Sequence, residues 1–543
     1  MTTNGGAVSA AIRKKAQRKF KMRGYTLKVD ALDPVISFAS RFSGAEDDAL
    51  DLLLDQLDSE SLKSSILDKE PVCRVVNLLL EAEAAVDETV DGAGDSTTAI
   101  RIVDAFLVPK FHYDSIKKIF FEHKAGLPIH GNASAKAALY RDRFLLLYQR
   151  LSRDRHFAKP AFESDTTCGS CEISPIQSLV GQIGRRWVMG VISQLEDGHY
   201  FLEDLTASVE ISLSDAISLQ LAFSDLCWFF SENTIVVAEG EMLVEGIFKV
   251  FTCGFPPLED REQSLKAIAG HDFFGSGHLT KEETLRLADL EKRSVNDMFV
   301  ILSDVWLDDE KTIGKLQTVL DGFEDVEVVP SLFVFMGNFC SRPCNLAFHS
   351  YSYIRSQFAK LGEMIESHPR IKEKSRFLFI PGPHDAGPST VLPRSALPRY
   401  FAEELQEHIP NAVFSSNPCR VKFYTQEIVF FRQDLLYRMR RSCLIPPSTE
   451  ETGDPFEHLV ATMMHQSHLC PLPLIVQPII WNYDHCLHLY PTPHTVVLGD
   501  KSEQKAFTYA GITCFNPGPF SIDGTFVAYR PCTREVELSA LPS

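Results

Sequence analysis

The feature that most constrains this chain is a series of short, largely apolar runs spaced through its second half. They are Met298–Leu302, Leu332–Met336, Phe377–Ile380, Ile428–Phe431, Leu474–Ile480 and Thr495–Leu498. A strand with one face in water alternates polar and apolar residues, so near-continuous runs of this length point to strands covered on both faces. Helical or loop stretches separate them, which predicts an α/β sheet domain over residues 296–543. The first three runs close on tight turns: Asp304-Val305-Trp306, Gly337-Asn338-Phe339-Cys340-Ser341 and Gly382-Pro383-His384-Asp385. His468 and the turn Gly499-Asp500-Lys501-Ser502 follow in order. Asn516-Pro517-Gly518 with Gly524–Arg530 suits a closing hairpin.

At 543 residues the chain exceeds one compact domain. Residues 1–80 read as a helical domain. Val8, Ile12, Ala16 and Phe20 recur at a spacing of four, Gly24 is a suitable stop, and Asp33-Pro34 can open a second helix. Leu52, Leu53, Leu54 and Leu57 mark a third and Val72 to Leu80 a fourth. The basic residues from Arg13 to Lys21 fit either a nuclear localisation signal or the solvated face of that first helix, and no apolar stretch follows them as in a secretory signal. Residues 81–98 are acidic, small and Gly-containing, a linker composition. Residues 99–175 form a mixed connecting segment, strand-like at Ile100–Val108 and helical at Ala135–Leu151.

Residues 176–257 change to short β patterns. Trp187–Gln194 and Tyr200–Glu203 flank the turn Glu196-Asp197-Gly198, and Ser208–Leu213, Thr234–Glu239 and Phe248–Cys253 complete five strands. A helical stretch near Asp215–Leu226 falls after the third strand, the pattern of an OB-fold barrel. Residues 258–295 connect it to the α/β domain.

A net charge of −18 gives a long-range field that repels DNA, so protein partners are expected before nucleic acid. Thirteen scattered cysteines suit reduced thiols of the cytosol or nucleus, and no apolar run reaches the roughly 18 residues of a membrane span. Cys168/Cys171 is a lone C-x-x-C without a second pair, and His465/His468 and His485/His488 make two H-x-x-H pairs.

In their order the strand-end turns resemble those of calcineurin-like two-metal phosphoesterases: D-x-H, G-D-x-x-D, G-N-H-D/E, a lone His and G-H-x-H. Two divalent ions need a cage of carboxylates and imidazoles. Of seven ligand positions only Asp304 and His468 keep the expected type. Trp306 stands where an imidazole should be, and an indole has no lone pair in its ring plane. Asn338 replaces the bridging carboxylate, Pro383 offers no side-chain ligand, and Asp500 and Ser502 replace two histidines. His384 and Asp385 survive at the acid–base position but have no metal-bound hydroxide to assist. The expectation is a degenerate site with no catalytic residue, metal or cofactor. A single weak cation near Asp304, His468 and Asp500 stays open.

An OB-fold leading into such a domain is similar to the B subunits of eukaryotic replicative DNA polymerases, most closely the epsilon branch. The stretches that carry the likeness include Phe20-Lys-Met-Arg-Gly24, Phe201-Leu-Glu-Asp204, Gly254-Phe-Pro-Pro257, Leu302-Ser-Asp-Val-Trp-Leu-Asp308, Asn417-Pro-Cys-Arg420 and His468-Leu-Cys-Pro-Leu-Pro473. The resemblance implies a nuclear, non-catalytic subunit in chromosomal DNA replication. Its OB and phosphoesterase-like domains would bind the C-terminal zinc-bearing domain of the polymerase epsilon catalytic subunit. Residues 1–80 would reach GINS in the replicative helicase assembly. Other small polymerase subunits would join the complex, and DNA would be met only as part of it. Two further classes stay open: an atypical metal-dependent phosphodiesterase or nuclease, and an OB-fold single-stranded DNA-binding protein.

Overall fold

The structure is a computed structural model. It describes residues 99–158 and 171–542, apart from breaks at 197, 215–216, 219–228, 269, 278, 345–347, 388–389 and 446–453, together with parts of residues 13–76. The chain divides into two compact units, Met1–Asp95 and Ser96–Ser543.

In the first unit Ala16 and Phe20, four residues apart, are buried in one core with Ala31, Val35 and Phe38 and the leucines 50, 53, 54 and 57. Gly24 takes φ +86°, the left-handed conformation that ends a helix without steric cost. The next helix, Val29–Ala39, begins earlier than Asp33-Pro34 suggested and holds Pro34 inside. Burial of Ala31, Leu32 and Val35 on one face compensates for the missing N–H there. A short parallel pair, Thr26–Leu27 with Ile66–Leu67, was not foreseen. The proposed linker, Val8, Ile12 and Cys168 lie outside the described residues.

The second unit opens with β1 (Ile100–Asp104) and, after a hairpin of Phe111–Asp114 with Ile119–Glu122, the helix α1 (Ala133–Leu151). Asn132 starts α1 by accepting the Ala135 N–H. The barrel follows: β2 (Arg186–Glu196), β3 (His199–Glu203), β4 (Ser208–Ser212), β5 (Ile235–Met242) and β6 (Ile247–Gly254). The order β5-β2-β3-β4-β6 closes because β5 also pairs with β6. Where a helix was expected after β4, Ile217–Ser218 instead pair with β6, and most of that segment lies outside the described residues. The connector holds two helices, Arg261–Ala267 and α2 (Lys281–Arg293), the latter opened by a Thr280/Glu283 capping box.

The α/β part contains β7 (Phe299–Ser303), α3 (Glu310–Asp325), β8 (Leu332–Met336), α4 (Phe348–Glu366), β9 (Arg376–Ile380), α5 (Arg399–His408) and β10 (Ala412–Phe414). It continues with β11 (Cys419–Phe423), β12 (Gln426–Arg432), α6 (Pro455–His465), β13 (Thr495–Gly499), β14 (Lys505–Tyr509), β15 (Ile512–Asn516), β16 (Thr525–Arg530) and β17 (Glu535–Ala540). Two six-stranded sheets result, β10-β9-β8-β7-β16-β17 and β14-β15-β13-β12-β11-β1. Ile301, Val334 and Leu378 of the first share one core with Val421, Phe430 and Val497 of the second, so the sheets pack face to face. The outer face of the first sheet buries Phe333, Phe335 and Phe377 against α3, α4 and α5, and that of the second buries Val429 and Val496 against α6.

Three expectations change. Leu474–Ile480 forms no strand: Pro473 and Pro478 interrupt the donor row, and only Ile479 makes a bridge, to Leu392. The closing hairpin is β16 with β17, because β15 and β16 belong to different sheets, and the short helix Phe520–Asp523 lies between them. The segment expected to connect the domains supplies the edge of the second sheet, β1 pairing antiparallel with β11.

Candidate functional site

β7, β8, β9 and β10 run parallel, as do β12, β13 and β15, and each set of turns leaves at the carboxyl ends where open α/β sheets place their sites. The turns pack with no spare room. A Cβ on Gly337 would stand 1.9 Å from Asp385 Oδ2, one on Gly382 2.5 Å from Asn338 Oδ1, and one on Gly499 2.7 Å from Ser303 Oγ. The three glycines that head the turns are therefore required by close approach.

The centre of the cluster is Arg432, the last residue of β12, whose side chain is fully buried. Its Nη2 donates to Asp304 Oδ1 at 2.9 Å, and its Nη1 donates to Asp434 Oδ1 at 2.7 Å and to the Gly499 carbonyl at 2.9 Å. Its Nε donates to the Gly337 carbonyl. Burial alone would lower its pKa, yet Asp304 and Asp434 hold it above the ordinary arginine value. Asp434 feels burial pushing its carboxyl up, and the Arg432 charge with its hydrogen bond holds it below the usual range. Asp304 itself sits at φ +55°, the left-handed region, and also accepts the Asn338 backbone N–H at 3.0 Å and its Nδ2 at 3.2 Å.

The remaining turn residues brace one another. Asn338 Oδ1 accepts the His384 N–H at 3.0 Å, and Asp385 accepts the N–H groups of Phe339 and Gly382, each at 2.7 Å. Burial pushes the Asp385 carboxyl up to about 6. Pro383 contributes its carbonyl to Arg394 at 3.3 Å. His384 is part-buried and its pKa lowered, first by desolvation and then by Lys501. Asp500 accepts the Leu435, Leu436 and Ser502 N–H groups at 2.6, 3.1 and 2.9 Å, and Ser502 in turn accepts from Asn516. Trp306, half-buried, follows Asp304 with no ligand atom to offer.

The turns thus bring together Asp304, Asn338, Pro383, His384 and Asp385, with Asp500 and Ser502 braced beside them. His468 belongs elsewhere. Its Nδ1 accepts the Cys470 N–H at 3.0 Å and its Nε2 lies 3.2 Å from Asp484 Oδ1, with His488 Nε2 3.2 Å from Oδ2. Ligand atoms of His468, Asp484 and His488 lie within 4.8 Å of one another, close enough for a metal. Arg143 of α1 already takes both oxygens of Asp484, through Nε at 2.9 Å and Nη2 at 2.5 Å. Among the described residues the ligand atoms of Asp304, His468 and Asp500 do not gather into one metal-sized group, and both carboxylates are engaged with donors of their own. A dication at the strand ends would have to displace a guanidinium that uses four hydrogen bonds and can scarcely be deprotonated.

Sequence reasoning missed Arg432 and Asp434, which end an apolar run as Asp304 ends another. A charged residue closing a run buried on both faces was the available signal. The fold and its centre define a class: an α/β sandwich whose strand-end turns are held in the middle by an arginine.

The family model that describes the B subunits of DNA polymerases alpha and epsilon matches residues 299–508, and that of the DNA polymerase epsilon subunit 2-like OB-fold domain matches residues 133–257. The chain is 67% identical to the B subunit of DNA polymerase epsilon from Arabidopsis thaliana over 97% of this chain and 99% of the relative. It is 33% identical to DNA polymerase epsilon subunit 2 of Homo sapiens over 98% of each. A solved archaeal phosphodiesterase aligns with 45% of this chain and 99% of its own, at 10% identity and a TM-score of 0.25, a likeness too slight to carry any inference. The chain belongs to the B-subunit family of DNA polymerase epsilon, accessory subunits in DNA replication, and its barrel is that family's OB-fold domain.

Proposed function

We propose that this chain is a non-catalytic scaffold of the polymerase epsilon complex, built on a phosphoesterase-like sandwich whose chemistry is lost. The observation that carries the reading is Arg432: a buried cation stands among the strand-end turns and consumes the carboxylates a metal would need. The OB barrel and sandwich would hold the C-terminal zinc-bearing domain of the catalytic subunit, in the nucleus, alongside the other small subunits. The helical unit within residues 1–80, followed by a tether over 81–98, would reach GINS in the helicase assembly. An acidic chain of net charge −18 suits a basic protein partner better than DNA.

The test is co-purification from cells expressing both chains. Deleting residues 1–80 should leave a full complement of the catalytic subunit while removing GINS. A truncation at residue 177 should fail to stay soluble, because it strips β1 from the sheet and Arg143 from Asp484. Retention of GINS without residues 1–80, or loss of the catalytic subunit, overturns the assignment of roles.

One observation favours a second reading, single-stranded DNA binding. Phe251 on the barrel lies beneath Arg185 at 4.5 Å and near Lys249 at 5.8 Å, an aromatic flanked by cations. A DNA shift that weakens with salt and disappears in Phe251→Ala would favour it.

A further inference from the structure

A cavity of about 490 Å³ lies between segment 261–284, strands β11 and β12 and the loop 488–494. That volume falls within the roughly 300–1,000 Å³ of small-molecule sites. Three cations line it: Arg261, Arg420 and Lys422. Arg261 is paired, its Nη2 donating to Glu427 at 2.7 Å. The other two touch no carboxylate among the described residues. Lys422 Nζ donates to Ser276 Oγ at 3.1 Å. Arg420, 5% exposed, donates only to the carbonyls of Phe273, His488 and Cys486, at 2.7, 3.0 and 3.3 Å. Its Nε–H has no acceptor among the described residues. The second lining carboxylate, Asp272, is committed to the N–H groups of Phe274, Gly275 and Gly277 at 3.0, 2.9 and 2.6 Å.

A buried guanidinium without a carboxylate is costly to keep, and burial pushes the pKa of Arg420 down. Arg420 also walls a second void of about 30 Å³. That volume holds about one water, which can accept an N–H but cannot neutralise a charge. The Phe274 ring, 5.5 Å from the guanidinium, adds an apolar wall.

We propose that the larger cavity binds a small-molecule oxyanion, a phosphate or carboxylate held between Arg420 and Lys422. The rest of the ligand lies against Phe274 and Leu489. Neither Asp304 nor Arg432 lines this cavity, so the site stands apart from the strand-end centre.

Titration calorimetry of the full chain with ATP, with citrate and with an oligoglutamate peptide tests the proposal. ATP or citrate should bind saturably, and which of them binds tells a phosphate from a carboxylate ligand. Lys422→Gln should weaken that binding by at least about tenfold. Lys422→Arg, which keeps the charge, should restore it, and Lys372→Gln on another surface should leave it unchanged. Absence of binding by both small anions at about 1 mM, binding indifferent to Lys422→Gln, or binding of the peptide alone overturns the proposal.

Discussion

Two buried ionic centres in the second unit invite comparison. At the strand ends Arg432, the last residue of β12, is clamped between Asp304 and Asp434, which follow β7 and β12. Some way along the chain Arg143 of α1 grips Asp484, which His468 and His488 flank. Of the first only Asp304 was marked by the order of the turns, and the second is assembled from residues 341 positions apart. Both set a guanidinium against a carboxylate where a metal might be sought. Residue types that ligate metals are thus poor evidence of a metal once an arginine reaches the same carboxylate: two imidazoles and an aspartate are satisfied by the arginine's fork and by each other.

The comparison can be broken at either centre. Arg432→Met should destabilise the chain most, by about 3–5 kcal/mol, because it leaves Asp304 and Asp434 facing one another without a cation. Urea unfolding should show it, and Arg143→Met should cost a similar amount by uncovering Asp484. If Arg432→Met were neutral while Arg143→Met was not, the strand-end centre would not be the structural keystone of its domain.

Gly337→Ala probes the same turns through packing. Its Cβ would meet a carboxylate at 1.9 Å and the Gly382 nitrogen at 2.5 Å, so a loss of about 1–3 kcal/mol is expected from overpacking. Gly314→Ala, in the open on α3, meets nothing and should be neutral or slightly stabilising.

The His468 centre should show itself in pH dependence. Desolvation pushes His468 down to about 3, His485 to about 3 and His465 to about 4. An unfolded imidazole titrates near 6.5, so the unfolded chain binds more protons below that pH. Stability is complete above about 6.5 and falls as pH drops toward the folded values. His468→Gln should flatten that slope, removing about 2 kcal/mol of the acid loss at pH 5. An unchanged slope would place the titrating group elsewhere.

How much of this was legible varied by region. The continuous runs that became β7, β8 and β9 were readable because strands buried on both faces have little freedom of composition. Asp304, Asn338 and Asp385 were readable as site positions because their turns close those runs. His468 was misplaced because a lone histidine carries no period, and only its contact with Asp484 shows where it belongs. Leu474–Ile480 misled because its composition is apolar while Pro478 within it and Pro473 just before it forbid a ladder. β1 was recognised as strand-like, but nothing local could say that its partner is β11, more than 300 residues on.

The proposed reading turns on Arg432, which occupies the strand-end centre and engages Asp304 and Asp434. Hydrolysis of bis-p-nitrophenyl phosphate by the full chain in Mn²⁺, measured beside Asp304→Asn, tests it most directly. The account predicts no turnover above buffer for either protein. Turnover by the natural chain that vanishes in Asp304→Asn would contradict it.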